Sequence, residues 1–310
     1  MTGENNVSPS PSPSPSPSPS LVKLTGPQLK IAKFLRRLLP ILSPSFLPPR
    51  DDKLLSKIVG NLDYYLPFRQ HGPSLKNARQ EIYSDINRLA SEDGIGFFNI
   101  LAFRGVFFGS PFARSPRYRW FESLSDWEHF HNSGKGKDDY NGEEYYVTKT
   151  CYGQSQTGRR LSLLPSYWEK RLLWNDHFNK SKTPPTVKQV FRWLTSSSKI
   201  TKTTLFPNIG SLTALLICGD LVEAGILHMP STEDWADAID KMGKGSKKGM
   251  KKCGLVGNDC GREEFCTAFS SLDQALQSEL SKEEKATMGY NIIMLEHALC
   301  KINRIGVDLF

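Results

Sequence analysis

The chain has 310 residues, 38% hydrophobic and 23% charged, which is enough apolar material for one large or two ordinary domains with a substantial core. A formal charge of +8 and a pI near 9.1 favour anionic partners or surfaces over acidic-protein roles, without naming one. Six cysteines with no close CxxC pair, and no signal peptide, speak against a disulfide framework and lead us to expect reduced thiols in an intracellular protein, nuclear or cytoplasmic.

Residues 8–20 alternate Ser and Pro without a break, a pattern that forms neither helix nor ladder, so residues 1–27 are expected to be a disordered head. Each Ser-Pro step is a potential site for a proline-directed kinase. Next, Gln28 to Leu42 places Ile31, Phe34, Leu35, Leu38 and Leu42 on one face of a helix and Lys30, Lys33, Arg36 and Arg37 off it, ended or kinked by Pro40. This basic amphipathic segment, with a Pro-rich joint, occupies 28–50. Its readings are a membrane-surface segment, a helix for a protein partner through 28–42, a localisation signal, or a helix docked on the body of its own chain.

Helical spacing returns at Asp52 to Leu62 and at Leu75 to Ala90. Residues 94–130 then turn rich in Phe, Gly and Arg, and short strands fit best, with Phe97 to Leu101 and Val106 to Phe108 as candidates. There Arg104, Arg114, Arg117 and Arg119 interleave with Phe112, Tyr118 and Trp120, a mixture able to stack bases and clamp phosphates, or to form a core with charged edges. The polar, Gly-rich run 132–160 reads as an exposed insertion or hairpin. Helices are predicted at Ser166 to Phe178 and Thr186 to Leu194, and the KSKTPPT segment between them is the best internal boundary, dividing a mixed section 51–185 from a helical section 186–310. The two sections can equally form one domain.

From Leu205 to Gly257 the signals are clearest. Ser211 is placed to cap a core helix that Gly225 ends in a Schellman-type turn, and Ser231 with Asp234 opens a second helix whose apolar face is Trp235, Ala238, Ile239 and Met242. Gly243, Lys244, Gly245 and Ser246 follow, then Lys247, Lys248, Lys251 and Lys252. Counting Lys241, six lysines fall in twelve residues with no acid among them after Asp240. This corner resembles a helix-hairpin-helix element, with Gly243 and Gly245 as hairpin glycines and Ser246 capping the next helix. The resemblance implies phosphate contact through backbone N–H groups and the neighbouring lysines. It departs from that pattern in carrying Lys244 between the glycines and Gly249 within the second helix. Beyond it, Glu263 to Leu280 reads as one helix, and a last helix opens on a Ser281/Glu284 capping box and continues through Ile292, Leu295, Leu299 and Ile302.

Catalytic signals are sparse. Cys151 with His129 or His131 could form a nucleophile pair, and Cys253, Cys260 and Cys266 with His228 or His297 could supply zinc ligands, though their spacings lack a tight knuckle. No Walker loop, dinucleotide fingerprint or HExxH is present, so no cofactor or metal is implied. The expectation is a mainly α protein: a helical C-terminal half, a small β or irregular aromatic-rich section around 94–160, and the disordered head. Its expected activity is non-enzymatic: nucleic-acid binding, to DNA or RNA, through the Lys/Gly-rich turn. A protein-interaction module or an enzyme with a site around 126–160 are the alternatives.

Overall fold

Apolar residues recur every three to four positions along most of the chain, and the computed structural model is helical wherever that spacing holds. It describes residues 24–135, 142–146, 161–179, 183–197, 204–242 and 245–306. In chain order these form α1 (Gly26–Leu38), α2 (Lys53–Gly60), α3 (Leu62–Tyr65), α4 (Pro73–Glu81), α5 (Ile86–Leu89), α6 (Ile95–Ala102), α7 (Pro111–Arg114), α8 (Leu124–Lys135) and α9 (Leu164–Glu169). Then come α10 (Val187–Leu194), α11 (Ser211–Glu223), α12 (Thr232–Met242), α13 (Ser246–Lys252), α14 (Arg262–Glu279), α15 (Lys282–Met288) and α16 (Ile292–Ile305). The protein is mainly α. Among the described residues there is no strand, only an isolated antiparallel bridge between Ser197 and Thr204.

Thr25 starts α1 through a capping box with Gln28, a signal the sequence reading passed over. Four of the five predicted apolar positions are buried, Ile31, Leu35 and Leu38 wholly and Phe34 nearly so, but the helix ends at Leu38 ahead of Pro40, and Leu42 is half-buried in a 3-10 turn beyond it. Arg36 fastens the helix to the C-terminal part by ion pairs to Glu279 at 2.7 Å and Glu284 at 2.8 Å. The segment therefore lies against the body of its own chain, its apolar stripe spent on the core, with Lys30, Lys33 and Arg37 outward. Among the described residues no helix is long and apolar enough to cross a membrane. The Ser-Pro run falls outside the described residues, as does 147–160.

The strands expected at Phe97 to Leu101 and Val106 to Phe108 are instead helix. Residues Ile95–Ala102 form α6 and Phe103–Phe107 a π turn, closed by the Phe108 N–H donating to the Phe103 carbonyl at 2.7 Å. A helix buried on all sides has no apolar period, and a short run of Phe, Ile and Val then looks like strand. The rings of this section form a core with charged edges: Phe112, Tyr118 and Trp120 are buried, while Arg104 binds Asp220, Arg117 binds Glu144 and Arg119 binds Asp126.

In the second half, Gly225 (φ +78°) ends α11 as foreseen. Its N–H donates to the Val222 carbonyl at 3.0 Å and that of Ile226 to Leu221 at 2.9 Å, the paired bonds of a Schellman ending. Ser211 is the first residue of α11 and not its cap, which is Gly210. Ser231 accepts from the Asp234 N–H at 3.1 Å ahead of α12. The last predicted helix is two: the Ser281/Glu284 capping box opens α15, the chain turns at Gly289, and Asn291 caps α16 by accepting from the Met294 N–H at 2.8 Å. Buried apolar side chains from Ile31 to Ile305 make one contiguous cluster.

Candidate functional site

At the lysine-rich corner, α12 and α13 are joined by a short turn of which Gly243 and Lys244 lie outside the described residues, while Gly245 turns at φ +57°. The buried face of α13, Ser246, Gly249 and Met250, lies on α16. A Cβ on Gly249 would sit 2.1 Å from the Leu299 carbonyl oxygen, so only glycine permits this crossing. Ser246 is wholly buried, is the first residue of α13 and not its cap, and donates its hydroxyl to Glu296 at 3.0 Å. Burial raises the Glu296 carboxyl above its ordinary range.

With one side of α13 pressed on α16, helical geometry at about 100° per residue sets Lys247, Lys248, Lys251 and Lys252 on the opposite arc. Lys247 leans back to Asp240 at 2.6 Å. The Lys251 ammonium donates to the Asn258 carbonyl and that of Lys252 to the Asn303 carbonyl at 2.7 Å, while Lys248 is exposed. Among the described residues no carboxylate lies within ion-pair distance of Lys248, Lys251 or Lys252. The exposed Lys30 of α1 is close enough to Cys253 to oppose the burial that pushes that thiol up to about 11.

A second constellation was not foreseen. Asp220, fully buried in α11, accepts from Arg69, from Arg104 at 2.5 and 2.7 Å, and from the Tyr83 hydroxyl at 3.0 Å. Burial alone would raise its pKa, yet the Arg104 and Arg69 guanidiniums overcome this and hold the carboxyl below its usual range. Arg69 also reaches Glu223 at 3.4 Å and the Leu216 carbonyl at 2.9 Å. Beside it is a cavity of about 10 Å³ lined by Asp63, Arg69, Arg104 and His297, room for one water. An acid inside the apolar run Leu212 to Val222 was the visible signal; its partners, 151 and 116 residues away, were not.

Among the described residues the remaining candidates are not brought together. Cys151 lies outside the described residues. His131 stacks on Trp127 with ring centroids 5.2 Å apart, and His129, two residues before it on α8, is exposed. Burial raises the Cys218, Cys253, Cys260, Cys266 and Cys300 thiols, so none of these five is a ready thiolate. Among the described residues no three His, Cys, Asp or Glu side chains gather into a group that could hold a metal ion. Compared with known proteins, the chain matches no family model, no curated protein and no solved structure.

Proposed function

We propose that the protein is a non-enzymatic nucleic-acid binder that contacts the phosphate backbone through the outward lysines of α13. One observation carries the reading: Lys248, Lys251 and Lys252 share an outward helical arc with no carboxylate partner among the described residues, on a chain of formal charge +8. Uncompensated ammonium groups in a row meet a polyanion by counterion release, a sequence-independent interaction. The contact is assigned to side chains and not to the turn's backbone, because Ser246 is turned to Glu296 and buried. Lys247 contributes less, its charge being offset by Asp240.

The test is binding of a fluorescent duplex oligonucleotide by the full chain and by a triple variant, Lys248→Ala, Lys251→Ala and Lys252→Ala, across a salt series. All three side chains leave the core untouched, so the variant keeps its fold. The wild type binds with an affinity that falls as salt rises, and the variant loses about 0.9 from the slope of log K against log salt for each lysine removed, regardless of sequence. Equal slopes for the two proteins, or no binding at low salt, overturn the proposal.

A further inference from the structure

Between α10 and α12, on a part of the surface the lysine arc does not use, lies a cleft of about 350 Å³. Its floor is apolar, made by Pro185, Val187, Phe191, Met229 and Pro230. Local sequence fixes its shape. Pro184 and Pro185 stiffen the approach to α10, the Thr186/Gln189 capping box sets where the helix starts, and Pro230 with the Ser231 bond to Asp234 does the same for α12. Met229 is 50% exposed at the cleft, one of few large apolar side chains among the described residues left so open.

The charges around this floor are unequal in a way that selects a ligand. Both of the cleft's acids are engaged: Asp237 holds Lys241 at 2.6 Å and Arg262 at 2.5 Å, and Asp234 accepts from the Ser231 hydroxyl at 3.1 Å. Lys188 and Arg192 stand one turn apart on α10, both exposed, and among the described residues neither has a carboxylate within ion-pair distance. An apolar floor edged by two uncommitted cations is complementary to a molecule with an apolar body and an anionic head.

We propose that the α10–α12 cleft is a binding site for a small amphipathic organic anion, a carboxylate or sulfonate on an aliphatic or aromatic body, with Phe191 and Met229 taking the body and Lys188 and Arg192 the head. The site is independent of the lysine arc. Its size is at the small end of clefts that bind organic ligands, which suits a compact molecule.

The experiment uses the full chain and 8-anilinonaphthalene-1-sulfonate as a fluorescent probe, with octanoate and octanol as competitors. Saturable probe binding, displacement by octanoate and none by octanol at the same concentration, and a loss of about tenfold or more in affinity for the Lys188→Ala/Arg192→Ala double variant are expected. Amide shifts in NMR spectra on adding octanoate should cluster in 184–192 and 228–241. Both substituted side chains are exposed, and an unchanged far-ultraviolet spectrum verifies the fold. The proposal is overturned by absence of saturable binding, by equal displacement by octanol, by wild-type affinity in the double variant, or by shifts centred elsewhere. The triple α13 variant keeps this binding unchanged, so failure of one reading is separable from failure of the other.

Discussion

Asp220 sits in the last turn of α11, inside the apolar run Leu212 to Val222, with its side chain wholly inaccessible, where an isolated carboxylate would be severely penalised. Two guanidiniums and a phenol make the position tenable, and the arrangement fixes how its removal behaves. Asp220→Asn leaves Arg69 and Arg104 buried and short of one negative charge, and should cost about 3–5 kcal/mol in urea unfolding, the range for a broken buried pair. The pH dependence follows from the direction of the shift. Because the folded carboxyl has a lower pKa than the unfolded one, its stabilisation is complete above the unfolded value of about 4 and disappears as pH falls through the folded value. The stability gap between wild type and Asp220→Asn should therefore be constant from pH 5 to 7 and narrow below about pH 4. A gap that persists unchanged at pH 2 would show that the charge is not what holds the site.

At the scale of elements, α13 owes its position to Gly249. Read in sequence, that glycine weakens a short helix; in the fold it lets two backbones meet, which is a larger effect. Gly249→Ala should destabilise the protein by about 1–3 kcal/mol, the usual cost of overpacking, whereas the same change at the unencumbered Gly60 should cost no such penalty. Unfolding midpoints of the two variants decide this. Legibility of the fold divides along the same line. Gly225, Ser231 and the Ser281/Glu284 box were readable because a cap is decided within a few residues. The π turn at 103–107 and the break at Gly289 were not, since a wholly buried helix lacks an apolar stripe and apolar spacing runs on across the break. The lysines of the corner were plain in the sequence. That Asp240 offsets Lys247 and that Glu296 takes Ser246 depends on packing, and no local pattern announces the second of these, 50 residues distant.

For the whole molecule, the decisive fact is that both flanks of the Pro-rich segment near 184 contribute to one apolar cluster, and that Asp220 on one flank is neutralised by Arg69 and Arg104 on the other. Residues 186–310 expressed alone would bury that acid without its partners. We expect this fragment to lack a cooperative thermal transition, and the full chain to unfold with coincident fluorescence and circular dichroism curves. Two separated transitions in the full chain would contradict this.

The π turn at Phe103–Phe107 bears on what length changes the chain tolerates. A π turn carries one residue more than an α turn over nearly the same rotation, so it absorbs a surplus residue and leaves its flanks where an ordinary helix would put them. Losing Val106 or Phe107 would return the segment to ordinary winding with Arg104 still on its carboxylate, whereas the same loss inside the regularly wound α14 would swing everything downstream by about 100°. A deletion here should thus cost little beyond the side chain removed: at this spot the chain has one residue of length in reserve.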